Sequence, residues 1–147
     1  MLRNTSPFII STTYTCVVNA TLKISWSDKI EYRNDNAKSI PSTGGVYEIQ
    51  GRKTTDGGYT RRYVGESDNL QETYSKYLAG HASNEKLNQF LKEKRSFFRY
   101  VKINSDSIRK DLEKGLYSKY KHSFVDAEHM PSGSGKYVKI NVEEKNE

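Results

Sequence analysis

The stretch GGVYEI at residues 44–49, followed after a polar gap by RRYVGESDNLQETYSKYLAG at residues 61–80, decides how this chain is read. Val46 to Ile49 and Arg62 to Gly65 are short β-prone runs, and the Asp56-Gly57-Gly58 turn signal between them predicts an antiparallel hairpin. Ser67 or Asp68 is placed to cap a helix, because a short oxygen-bearing side chain can accept a bond from a free amide of the first turn. Leu70, Thr73, Tyr74, Tyr77 and Leu78 then recur at helical spacing on one face, and Gly80 ends the helix. Tyr47 and Tyr63 thereby come to lie on neighbouring strands beside a helix N-terminus.

Working outward, Ser83 starts a second helix, with Leu87, Phe90 and Leu91 inward and Lys86, Lys92 and Lys94 outward. FFRYVKI at 97–103 returns to strand. Ser105 or Asp106 caps a third helix to about His122, its stripe made by Ile108, Leu112, Leu116 and Tyr120 with Glu113 at the edge. Before the hairpin, FIISTTYTCVV (8–18) forms a strand or two, LKISWSDKIEY (22–32) an extended or short helical piece, and RNDNAKSIPSTGG (33–45) a loop. After the third helix, DAEHMPSGSG (126–135) reads as loop and KYVKINV (136–142) as a last strand. The expected organisation is an α+β fold, a small antiparallel sheet flanked by helices. An extension at 1–39 packs on a module at 40–122, and a loop with a strand follows at 123–147.

At 147 residues the chain fits one compact domain. Its mean hydropathy of −0.86 is low, yet 11 Tyr, 5 Phe and 1 Trp supply amphipathic bulk, so the core is expected to be rich in tyrosine rather than absent. The net charge is +6, and between Arg95 and His122 eight Lys and Arg stand against three Asp and Glu. Such clustering suits a polyanion, although a solvated face would look the same. The single cysteine, Cys16, rules out an internal disulfide, and its apolar setting predicts a buried thiol. No apolar run reaches the length of a signal peptide or the ~20 residues of a membrane span, so an intracellular, cytoplasmic setting is expected. His81, His122 and His129 match no ligand spacing and are expected at the surface or in loops.

GVY at 45–47, YVG at 63–65, ESDNL at 66–70 with its helix, and the later Glu113 together resemble the GIY-YIG nuclease superfamily over roughly residues 40–122. The resemblance implies a β-β-α-α-β-α module that hydrolyses phosphodiesters in DNA. It makes Tyr47 the proton acceptor or the group that positions water, Tyr63 its neighbour, and Gly45 and Gly65 structural. Glu113 would hold Mg²⁺ or Mn²⁺, with waters and phosphate completing an oxygen shell. The chemistry asks for such a set: a nucleophile, a proton acceptor and positive charge against the transition state. A tyrosine with its usual pKa of ~10 is a poor base near neutrality and would need help from a cation.

One position departs from the pattern. Ten residues beyond Tyr63 the family places a phosphate-holding arginine, and here stands Thr73. The chain could be an inactive relative that still binds nucleic acid, or a neighbouring cation could substitute, or the threonine could be a substitution that traps substrate. Among cations, Lys76 shares the helix face and is preferred over Arg61 and Arg62, which flank Tyr63 on the strand. The family's asparagine after the glutamate helix has no clear counterpart in YKHSFVDAEH (120–129). Three functions therefore stand: a metal-dependent DNA endonuclease, a silent nucleic-acid-binding module using Arg95, Arg99, Lys102, Arg109 and Lys110, and a small partner-binding domain. Base readout would have to come from the N-terminal extension or from a homodimer.

Overall fold

Glycine, valine and isoleucine at 45–52 build a strand that is buried on both faces, which is possible only at the centre of a sheet. A computed structural model, describing residues 7–14, 18–52, 59–125 and 129–145, places it there. The chain runs β1 (Phe8–Tyr14), β2 (Val18–Ile24), β3 (Ile30–Glu31), a 3-10 helix (Asn34–Ser39), β4 (Gly45–Arg52), β5 (Tyr59–Ser67), α1 (Leu70–Leu78), α2 (Glu85–Glu93), β6 (Ser96–Lys102), α3 (Asp106–Tyr120) and β7 (Lys139–Glu144). The Asp56-Gly57-Gly58 turn and Cys16 lie outside the described residues.

One sheet has the order β3-β6-β4-β5, antiparallel throughout. Alternation along β4 then separates two cores. Tyr47 and Ile49 join Leu70, Tyr74, Leu87 and Phe98 under α1 and α2. Val46 joins Val64, Val101, Leu112 and Leu116 on the opposite side, under α3. The α+β module and its β-β-α-α-β-α order are as expected.

The chain's two end segments do something the sequence reading did not anticipate. β1 and β2 form a hairpin, and β7 adds to β2 in parallel, giving a second sheet of order β1-β2-β7. Leu22, Ile24, Trp26 and Val142 of these segments share one core with α3. Lys119 of α3 also donates to the Val142 carbonyl at 3.0 Å.

The helix caps differ in detail from expectation. Asn69, not Ser67 or Asp68, caps α1 by accepting from the Glu72 amide, and Asn84 rather than Ser83 caps α2. Ser105 caps α3. Gly80, with φ +80°, carries the chain out of α1 in a backbone conformation that side-chain-bearing residues rarely adopt. No helix among the described residues is long and apolar enough to cross a membrane.

Candidate functional site

Tyr47 sits opposite Gly65 in the β4–β5 ladder, and a Cβ on Gly65 would come within 2.3 Å of the Tyr47 hydroxyl. Only glycine lets the ring lie flat across the neighbouring strand. The Tyr47 hydroxyl meets that of Tyr77, on α1, at 2.6 Å. Tyr63 completes a three-ring cluster, with centroids 6.2 Å from Tyr47 and 6.4 Å from Tyr77. Tyr47 is only 2% exposed. Burial first, then the neighbouring Tyr77 and Tyr63, push its pKa well above the ordinary value. It is therefore a neutral phenol at physiological pH, as an ordinary tyrosine is, and a proton-acceptor role would need a cation beside it.

Of the three tyrosines, Tyr63 is the one that shares a cleft with Glu113. With Glu113 of α3 it lines a cleft of about 550 Å³, closed by the start of α2, including Lys86, and by the chain after α3, including Ser123, Phe124 and His129. A larger cleft of about 690 Å³, between α1 and α2, holds Tyr77 and Tyr32 but neither Tyr63 nor Glu113. The chemistry-bearing groups converge in the first. Burial, and after it the nearby Glu66, raise the Glu113 carboxyl to about 7 against the opposing pull of Lys110. Half-buried, disfavoured as a lone anion and open to a cleft, this carboxyl gains from a cation. No group of three or more His, Cys, Asp or Glu among the described residues could hold a metal. A lone carboxylate at a cleft can give a hard divalent ion one oxygen ligand, the rest of such a shell coming from water and phosphate.

Thr73 is spent on the scaffold. Its hydroxyl lies 2.7 Å from that of Ser67, which also accepts from the Asn69 amide at 3.0 Å, so the pair ties the end of β5 to the start of α1. Lys76 is exposed on α1 and does not line the cleft of Tyr63 and Glu113, so the structure does not bring the preferred substitute cation to the site.

Arg61 and Arg62 go separate ways. The β4–β5 register shifts so that Ile49 faces Tyr63 and Gln50 faces Arg61, leaving Arg62 as the extra residue of a bulge. Arg62 lies against both the Phe90 and Phe124 rings and donates to Ser123 at 3.3 Å. Arg61 turns inward and donates to Glu48 and Glu144.

That inward network corrects three expectations. Glu48 accepts from Arg99 Nη2 at 2.8 Å, from Arg61 Nη1 at 2.9 Å and from His122 Nε2 at 2.7 Å. Burial alone would raise its carboxyl, but the His122 bond and the Arg99 and Arg61 charges hold it at about 2. His122, in the loop that follows α3, is buried rather than at the surface. Arg99 and Arg109, expected on a nucleic-acid face, are 2% and 4% exposed. Arg109 donates to Glu66 at 3.1 Å, to the Ile103 and Asn104 carbonyls and to Asp106. Glu48, fully buried, needs counter-charge, and Arg99 supplies it, whereas Arg109 is held by two backbone carbonyls, the part-exposed Glu66 and the exposed Asp106. Of the remaining three, Arg95 pairs with Glu31 at 2.7 Å, whereas Lys102 and Lys110 are exposed.

The sequence reading missed Lys86, Ser123 and His129 as cleft residues. Lys86 has a local signal, its place in the first turn of α2. Ser123 and His129 have none, because their position depends on how the chain returns after α3; there the Phe124 amide donates to the Arg62 carbonyl at 2.8 Å.

A central β hairpin, two helices on the tyrosine face, a third strand and a glutamate-bearing helix define a GIY-YIG-like fold. The solved structures that resemble the chain are of that kind. The GIY-YIG N-terminal endonuclease domain of UvrC from Thermotoga maritima, a point mutant bound to its catalytic divalent cation, is 21% identical with a TM-score of 0.49, over 63% of this chain and 92% of that one. A second point mutant of the same domain is 19% identical with a TM-score of 0.47, over 61% and 91%. No protein-family model matches the chain, and no curated protein matches it.

Proposed function

We propose that the chain is a metal-dependent endonuclease that hydrolyses phosphodiester bonds of DNA in the cleft between β5, α2 and α3. The observation that carries this reading is the meeting of the Tyr63 ring and the half-buried Glu113 carboxyl in one cleft of about 550 Å³. In the reaction, water adds across a P–O bond of the backbone, leaving a phosphate monoester and a hydroxyl. Glu113 is the residue that would hold Mg²⁺ or Mn²⁺, and such an ion, when bound, supplies Lewis-acid stabilisation of phosphate charge. Tyr63 orients the attacking water or a phosphate oxygen through its hydroxyl. Tyr47 and Tyr77, bonded to each other behind it, fix the ring and exclude water from the sheet. Lys102 and Lys110, both exposed, add attraction for the backbone.

Nicking of supercoiled plasmid in Mg²⁺ or Mn²⁺ tests the reading. Glu113→Ala and Tyr63→Phe should abolish or strongly slow it, and nicking that persists in both would refute the site. A second reading, a binding module without activity, draws on the Thr73 hydroxyl being committed to Ser67. It predicts salt-dependent DNA binding with no nicking by the wild-type protein under any divalent cation.

A further inference from the structure

We propose that Lys86 supplies the positive charge that holds the scissile phosphate, the task that Thr73 cannot perform. This rests on the endonuclease reading and names the missing part of its site. Lys86 lines the same cleft as Tyr63 and Glu113, and its side chain is exposed there. Its helical turn is anchored on two sides. The Asn84 side chain accepts from the Leu87 amide at 3.1 Å and donates to the Phe124 carbonyl, and the Leu87 side chain is fully buried. The lysine stem therefore leaves a rigid turn, and its ammonium needs only rotamer changes to meet an anion lodged between Tyr63 and Glu113.

The other nearby cations are committed elsewhere or lie off the cleft wall. Arg61 serves Glu48 and Glu144, and its guanidinium also stacks 3.6 Å from the Tyr120 ring centroid. Arg62 packs against two phenylalanine rings, donates to Ser123 and does not line the cleft. Arg109 is consumed by Glu66, Asp106 and two carbonyls. Lys76 and Lys110 do not line the cleft. Among the described residues of the cleft wall Lys86 is thus the lysine or arginine, His129 being the other nitrogen base there. An ammonium is a compact point charge, which suits a single phosphate oxygen without the fork geometry of an arginine. Glu85, next to it, also borders the cleft and would repel an anion from that side, so the phosphate is expected on the Tyr63 side of Lys86.

The test measures single-turnover nicking and, separately, the salt dependence of binding to a short DNA duplex by mobility shift, using the full chain. Lys86→Ala should lower the nicking rate constant on the order of 10²-fold, and Lys86→Arg should keep it within about tenfold. Lys86→Ala should also flatten the plot of log affinity against log salt by about one phosphate contact. Lys23→Ala, an exposed charge on β2, should change neither. The proposal is overturned if Lys86→Ala nicks and binds like the wild type, if Lys23→Ala loses as much, or if Lys76→Ala is the variant that loses the rate. If the wild-type protein nicks nothing, the endonuclease reading falls, while the salt slope still decides whether Lys86 holds a phosphate. Exposed and at the start of a helix, Lys86 can be replaced without loss of folding, which an unchanged thermal midpoint would verify.

Discussion

Replacing Glu48 with glutamine keeps the shape of the side chain and removes its charge, which isolates the role of the buried ionic network. Glu48 is fully buried and accepts from Arg99, Arg61, His122 and Gln50. Glutamine leaves a single acceptor oxygen and places an amide donor against groups that also donate. Glu144 stays within 3.3 Å of Arg61 and 3.6 Å of Arg99, so two guanidinium groups would then share one carboxylate. Removing one partner of a buried ion pair typically costs about 3–5 kcal/mol. The pKa gives a similar size by another route: a carboxyl drawn from 4.5 to about 2 is favoured as the anion by about 3 kcal/mol in the folded state. Urea unfolding followed by the fluorescence of Trp26, itself buried over Arg99, should therefore show Glu48→Gln less stable by about 3 kcal/mol at pH 7. Because the folded pKa is depressed, the wild-type advantage is complete above the unfolded value of 4.5 and is lost as pH falls toward 2. The gap between the two proteins should be full at pH 6 and clearly narrower at pH 3. A loss under about 1 kcal/mol at pH 7, or a gap that does not narrow, would refute the assignment of Glu48 as the ionised centre of the network.

Three further outcomes follow from the geometry of the site. Gly65→Ala puts a methyl group on the Tyr47 hydroxyl, 2.3 Å away, and should cost about 1–3 kcal/mol by thermal or urea unfolding while lowering any nicking, since the tyrosine cluster must shift. Thr73→Val removes the bond to Ser67 and should cost about 1 kcal/mol, whereas Thr73→Ser should cost less; equal stabilities would show that the bond contributes nothing. Glu113 must shed its proton to take a cation, and with a pKa of about 7 its Mn²⁺ affinity should rise about tenfold between pH 6 and pH 8; Glu113→Gln should abolish the rise in a calorimetric titration.

Much of the module was legible because its signals are local. The three helices follow from apolar spacing and from caps within a residue or two of their observed places, and the hairpin from two β-prone runs. The departures arise where a side chain's fate depends on partners far along the chain. Arg61, Arg62 and Tyr63 are consecutive, and simple alternation would send the two arginines to opposite faces. A single extra residue in β5 instead sends one to a buried carboxylate, one against two phenyl rings and the tyrosine to the cleft. Arg99 and Arg109 read as exposed because charged residues usually are, and it is Glu48 on the neighbouring strand that draws in the first, and Glu66 with the Ile103 and Asn104 carbonyls that hold the second.

From GGVYEI and RRYVGESDNLQETYSKYLAG one could read two strands and a helix to follow, since each depends on residues within a few positions of one another, and the resemblance added the threonine that stands where an arginine is expected. Which tyrosine faces the cleft, which cation stands beside it and which histidine is buried were settled only when β4, β5, α2, α3 and the segment after α3 came together. Long-range packing and the counter-ion needs of buried carboxylates decide those matters, and neither leaves a periodic trace in the chain.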